Sequence, residues 1–226
     1  MYQPPAFRET RVEVMHDLIR RYPLGLVVSA GPGGLMASPL PFLLDPGPEP
    51  WGTLRAHLAR ANPHAAQLAQ AAECMVLFRG EQGYVSPAWY ATKAATGQVV
   101  PTWDYAVVQA RGAPRIVEQA DWLTRQLEGL TAAQESQRQP AWSPGDAPEA
   151  FLRAQMAAIV GLEIPIADLE GKWKMSQNRS AEDRAGVIQG LAAPGDPHRH
   201  PRLAEEVAKR ADPHSEEPYK QPLNKS

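Results

Sequence analysis

The segment GKWKMSQNRS, residues 171–180, gathers hydrogen-bond donors. Lys172 and Lys174 flank Trp173, and Ser176, Gln177, Asn178, Arg179 and Ser180 follow with no acid among them. Lysine brings a compact positive charge and arginine a two-pronged donor. A helix opening near Ser180 would add backbone N–H groups. Such a set suits a phosphate or a flat, acceptor-rich heterocycle whose face Trp173 could cover. A plainer assignment fits the same letters: Trp173 in the core, the lysines laid along apolar surface with their ammonium groups in water, and Ser180 as a helix cap.

Two further groups carry chemistry. In RAHLARANP, residues 55–63, Arg55, His57 and Arg60 run toward Asn62 and Pro63, a pair that marks a helix start. A strand delivering arginine to that point is either an anion cradle or a solvated strand face with an asparagine cap. In YVSPAWYATK and VVPTWDY, residues 84–93 and 99–105, Tyr84, Trp89, Tyr90, Trp103 and Tyr105 accompany Lys93 and a single carboxylate, Asp104. The aromatics serve equally as core. Asp104 could be a general base, an acceptor for a ligand hydroxyl or the partner of a lysine, and its surroundings set its pKa. No zinc-type Cys/His spacing, GxSxG elbow, Walker A loop or GxGxxG turn occurs, and His198 and His200 fall in a polar tail.

These residues need a scaffold. The chain has 226 residues, 43% hydrophobic and 21% charged, with a formal net charge of −2. That is enough for one sizeable core, and it offers no global positive field for DNA or an anionic membrane. Cys74 is the one cysteine, in the apolar run CMVLF, which fits a buried thiol in a reducing, cytoplasmic setting. No apolar run is long enough to span a bilayer, and MYQPPAFRET lacks a signal core.

The 23 prolines fall partly inside apolar stretches such as SPLPFLL and VVPTWDY, which points to edges, bulges and short bent strands. RVEVMHDLIR has helical spacing, and two strands flank the turn GPGG as a hairpin. GTLRAHLAR is a strand, PHAAQLAQAA a helix, and CMVLFRG, YVSPAWY, VVPTWDYAVVQARG and PRIVE are β-rich. Helical patterns follow in ADWLTRQLEGLTAAQE and APEAFLRAQMAAIVG, then strand spacing in LEIPIADLEGKWK, then a short helix capped by Ser180. No βαβ alternation appears, so an antiparallel barrel with peripheral helices is the expected architecture. Residues 1–191 read as one domain and residues 192–226 as a polar, flexible tail holding one candidate helix, RLAEEVAKR. MAAIVGLEIPIADLEG places Ala157 four residues before Gly161, as a helix-turn-helix prefers, but Glu170 falls where an apolar residue is required and LEIPI has strand spacing.

In order along the chain, RYPLG, GTLRAHLARANP, YVSPAWYATK, VVPTWDYAVV and EGKWKMSQNRS resemble the PaiB family of FMN-binding negative transcriptional regulators. The resemblance covers roughly residues 1–191. It implies a split antiparallel β-barrel of the pyridoxamine-phosphate-oxidase type, FMN as cofactor, and a homodimer with flavin at the subunit interface. Carried onto this chain, it implies Arg60 and Asn62 at the flavin phosphate with His57 nearby, and Ser38 and Leu40 along the isoalloxazine edge. Lys93, Thr102, Trp103, Lys174, Ser176 and Gln177 would complete the pocket, partly from the other subunit. Regulation without direct helix-turn-helix contact is the implied output; the alternative is an FMN-dependent oxidoreductase. The chain departs from the family pattern twice. Ala37-Ser38-Pro39-Leu40-Pro41 stands where A-N-H-L-P is usual, and Asp104 stands where asparagine is usual. Pro39 removes a backbone donor, and Asp104 adds negative charge unless it is protonated or paired.

Overall fold

The computed structural model describes residues 1–47 and 50–210. The elements, in chain order, are β1 (Arg8–Glu9), α1 (Val12–Arg21), β2 (Leu24–Gly31), β3 (Gly34–Pro41), β4 (Leu43–Asp45), β5 (Thr53–Ala59) and α2 (Pro63–Leu68). They continue with β6 (Cys74–Val85), α3 (Ala91–Thr96), β7 (Thr102–Gly112), β8 (Arg115–Val117), α4 (Ala120–Glu135) and α5 (Glu149–Ala157). β9 (Ile159–Pro165), β10 (Asp168–Lys174), α6 (Ala181–Ala192) and α7 (Pro201–Lys209) complete the described chain. Strand pairing is antiparallel, as the absence of βαβ alternation predicts. No helix among the described residues is long and apolar enough to cross a membrane.

The chain forms two compact units, each assembled from separate segments. One comprises residues 16–78 and 109–169. Here β3 pairs with β2, and β2 with the start of β6; β4, β5, β9 and β8 form a sheet in that order. β5 alternates from Leu54 onward, after a buried Thr53. Leu54, Ala56 and Leu58 are buried in the core, while Arg55 and His57 share the opposite face. Phe42 and Phe78 meet edge to face at 5.6 Å. Gly25 is small because a Cβ there would lie 2.7 Å from both Phe78 and Val76.

The other face of the hairpin is apolar and open. Leu24, Leu26, Val28 and Ala30 of β2 stand opposite Pro41, Pro39, Ala37 and Leu35 of β3, and Leu77 and Met75 of β6 lie opposite Leu26 and Val28. Leu24 is 65% exposed and Leu35 78%. β3 ends the strand order, a place where prolines are tolerated, so Pro39 sits without breaking a central ladder.

The second unit comprises residues 1–15, 79–108 and the chain from Glu170. β1 pairs with β10, Arg8 opposite Lys172 and Glu9 opposite Gly171. LEIPIADLEGKWK, with strand spacing throughout, is two strands, β9 and β10, and MAAIVGLEIPIADLEG is the end of α5 followed by these strands, not a helix-turn-helix. α6 is capped by Ser180, whose hydroxyl accepts from Asp183 N at 3.2 Å. α6 packs on α7, burying Val187, Leu191, Leu203 and Val207. The segment read as part of a flexible tail is therefore packed up to Arg210. Its guanidinium pairs with Glu9 and lies 5.1 Å from the Trp173 ring. Burial pushes the Glu9 carboxyl up, but Arg11 and Arg210 outweigh it and hold it below its usual value. The rest of the expected tail lies outside the described residues.

α6 fits against Trp89 through two glycines. A Cβ on Gly186 would lie 1.9 Å from the Trp89 carbonyl oxygen, and one on Gly190 2.3 Å from its ring. Backbone cannot yield to a methyl at that range. Gly186→Ala is expected to lower stability by roughly 1–3 kcal/mol, read as a shift of the urea unfolding midpoint at unchanged slope.

Candidate functional site

In the unit holding β5, the strand passes from Thr53 to Ala59 and a tight turn opens α2, where the Asn62 side chain accepts from His64 N at 3.0 Å. Asn62 is thus the cap its spacing predicts, and its oxygen is spent there. Arg60 is spent as well. Its guanidinium pairs with Glu118 and donates to the carbonyls of Ala157 at 3.2 Å and Ile159 at 3.3 Å. A phosphate arriving at Arg60 must displace Glu118.

Two unspent nitrogens on β5 lie three and five residues before Arg60. Arg55 Nε and His57 Nδ1 are buried without a hydrogen-bond partner, and so is Gln126 Oε1, whose amide nitrogen donates to Arg55 O at 3.3 Å. α4 lies over this face, because the Trp122 ring occupies the space where Gly161, opposite His57, would carry a Cβ. Burial lowers the His57 pKa and keeps the ring neutral. A buried donor without an acceptor is costly, and an oxyanion would satisfy Arg55 Nε–H, together with His57 in the tautomer that carries its proton on Nδ1, while the Gln126 oxygen needs a donor instead. These residues fit the phosphate of a nucleotide.

Ser38 and Leu40 both point inward from β3, with Leu40 buried. The Ser38 hydroxyl lies 2.8 Å from His64 Nδ1, and Ser29 Oγ lies 2.9 Å from His64 Nε2. His64 is fully buried and its pKa is lowered by burial. The partners of this histidine are 26 and 35 residues away on two strands, so nothing local in the sequence marks them.

In the other unit, Lys174 gathers three of the expected residues. Its ammonium donates to Thr102 Oγ1 and to Trp103 O at 2.6 Å, and lies 3.5 Å from Asp104 Oδ1. Ser176 donates to Asp104 Oδ2 at 2.6 Å. Ser176 adopts φ 58°, the left-handed region that a non-glycine residue occupies only when its surroundings compel it. The Trp103 ring is 50% exposed and stands edge-on to Tyr84. Gln177 is spent on its own segment: it accepts from Met175 N and donates to Trp173 O, each at 2.6 Å. Lys93 is exposed on α3. Trp173 is core, 2% exposed, so it covers no ligand.

Asp104 has no exposure to water. Desolvation raises its pKa, against the opposing pull of Ser176 and Lys174. An acid whose folded pKa is raised binds more protons folded than unfolded, so stability falls as pH rises from the ordinary aspartate range through the raised value. Asparagine at this position carries no such penalty. The stability of Asp104→Asn relative to wild type is therefore expected to increase from pH 4 to pH 8, measured by urea unfolding across that range. A difference that is flat or shrinks with pH would show that the ion pair with Lys174 outweighs desolvation.

Residues 1–168 match the family described as "Putative FMN-binding domain". An uncharacterised protein of Emericella nidulans is 36% identical over 227 residues, covering 84% of this chain and 90% of its own. The Bacillus subtilis protein named protease synthase and sporulation protein PAI 2 is 27% identical over 191 residues, covering 84% of this chain and 89% of its own. Among solved structures, the FAD and heme binding protein from Mycobacterium smegmatis aligns with a TM-score of 0.57 at 20% identity, over 79% of this chain and 78% of that one. At that identity the likeness concerns the fold alone, a split antiparallel barrel with peripheral helices. Motif order, the family match along most of the chain, and the shared fold agree: the chain belongs to the PaiB family of FMN-binding domains.

Proposed function

We propose that this protein binds FMN and acts as a cytoplasmic negative transcriptional regulator without a DNA-reading helix. Family membership supports the flavin, and the regulatory output rests on the resemblance of the motifs to PaiB-type regulators. The observation that carries the ligand assignment is the pair of buried, unpartnered nitrogens on one face of β5, Arg55 Nε and His57 Nδ1. On this reading they take the flavin phosphate, and Arg60 joins by exchanging Glu118 for it. Asn62 serves by fixing the turn between them and α2. Ser38 and Leu40 take the ring edge. By the resemblance, Lys174, Thr102, Trp103 and Ser176 are flavin contacts supplied partly from the other subunit; Lys93 is available at the surface, and Gln177 holds the backbone beside Lys174. FMN, when bound, supplies a redox-active ring; the chain supplies position and charge.

The absence of direct DNA reading rests on charge and on element type. The net charge is −2, and the segment closest to a helix-turn-helix is occupied by β9 and β10. The homodimer of this proposal uses the open apolar face of β2, β3 and β6. A patch of leucine, valine, methionine and proline side chains on a sheet face is a cost in water unless something covers it, and a second copy presents a matching surface.

Protein purified from its host is expected to be yellow and to release FMN on heating; a colourless protein that takes up neither FMN nor riboflavin overturns the assignment. Bleaching of the colour by NAD(P)H would turn the reading to an oxidoreductase, and a sequence-specific shift of promoter DNA would overturn indirect regulation. Arg55→Met is expected to weaken FMN at least about tenfold while leaving riboflavin, which lacks the phosphate, unchanged in titration by fluorescence quenching.

Leu26→Glu, in the middle of the apolar face, is expected to convert the dimer to monomer in light scattering without loss of the folded circular-dichroism spectrum. A dimer that persists at micromolar concentration places the contact elsewhere.

A further inference from the structure

Beneath Ser38 runs a chain of polar side chains whose proton order can be worked out. The Gln67 side-chain nitrogen lies 3.1 Å from Ser29 O, 3.4 Å from Gly34 O and 3.0 Å from Ser29 Oγ. Backbone carbonyls only accept, so this end of the amide is its NH2 group, and it donates to the Ser29 hydroxyl oxygen. Gly31 makes room for it, since a Cβ there would lie 2.7 Å from Gln67 Cδ.

His64 comes next, with Ser29 on Nε2 and Ser38 on Nδ1. A neutral imidazole has one ring proton, which leaves two orders. In the first, Ser29 O–H donates to Nε2, Nδ1–H donates to Ser38 Oγ, and the Ser38 O–H is left over. In the second, Ser38 O–H donates to Nδ1, Nε2–H donates to Ser29 Oγ, and the Ser29 O–H is left over beside a donor amide. Ser29 is 3% exposed and Ser38 9%. A stranded donor costs more the deeper it lies, so the first order prevails.

We infer that the relay Gln67–Ser29–His64–Ser38 holds the Ser38 hydroxyl as an unspent, polarised donor aimed at an acceptor atom of a flat heterocyclic ligand, a ring carbonyl oxygen or imine nitrogen. The inference rests on the flavin reading above and assigns its specificity contact at the ring. Ser38 is the ligand contact; His64, Ser29 and Gln67 are positioning residues that fix which way its proton points. Gln67 lies at the surface end of the relay, so altering it leaves the core intact.

The test measures FMN and riboflavin affinity, with the visible band of the bound flavin, for Ser38→Ala, Ser38→Thr, Gln67→Met, Gln67→Glu and the double variant Ser38→Ala/Gln67→Glu. Ser38→Ala is expected to weaken FMN and riboflavin by the same factor, about tenfold, and to shift the band; Ser38→Thr restores both. Gln67→Glu, which gives the Ser29 O–H an acceptor and turns the relay to the second order, is expected to give the same shift and a similar loss, whereas Gln67→Met, which supplies no acceptor, leaves the order and both readouts close to wild type. The double variant should be no weaker than Ser38→Ala alone, since both changes act on one hydroxyl. If wild type binds flavin but Ser38→Ala binds it equally well with an unshifted band, the inference falls while the flavin reading stands. Losses that multiply in the double variant also overturn it, because Gln67 then acts by another route. If wild type binds neither flavin, both readings fall together.

Discussion

A carboxyl group with no access to water sets the terms for one half of this molecule. Asp104 on β7 must be answered by donors or lose its charge, and the donors come from the end of β10: Ser176 at 2.6 Å and Lys174 at 3.5 Å. To reach it, the chain after Lys174 turns through a left-handed residue at Ser176, and Gln177 stitches the turn closed on Met175 and Trp173. The departure from asparagine at position 104 is thereby accommodated, with a raised pKa and two partners in place of a neutral amide.

The same constraint explains the donor-rich run around Trp173. Most of its donors serve the fold. Lys172 lies between the Tyr2 and Tyr105 rings, 5.7 and 5.4 Å from their centroids, and Arg179 lies 4.7 Å from Tyr90. Ser180 caps α6, and Lys174 is the one that also reaches Thr102 and the Trp103 carbonyl. A count of donors in sequence shows how many partners a segment needs, but not whether protein or ligand provides them.

The periodic elements were readable. The GPGG hairpin, the β5 alternation, the Asn62-Pro63 helix start and the Ser180 cap follow from spacing and local chemistry, and each appears where that chemistry puts it. RLAEEVAKR has the spacing of a helix, but its docking on α6 depends on Leu191 and Val187, which only the fold brings to it. The site was less readable because its pairs are long-range. Glu118 on Arg60, Gln126 beneath Arg55 and the two serines on His64 have no local signature. Arg55 was visible beside His57, yet nothing in the letters told that Arg60 would be occupied and Arg55 Nε left bare.

Arg210 has a consequence of its own. The family match ends at residue 168, where β10 begins, yet the Arg210 guanidinium sits over the buried Trp173 ring and clasps Glu9. The evolutionary boundary and the mechanical one therefore do not coincide. A fragment trimmed to the match would forfeit Lys174, Ser176 and both terminal helices, leaving Asp104 with nothing to answer it and Glu9 with one arginine fewer. Borrowing this domain for a chimera calls for a cut no earlier than the end of that clasp.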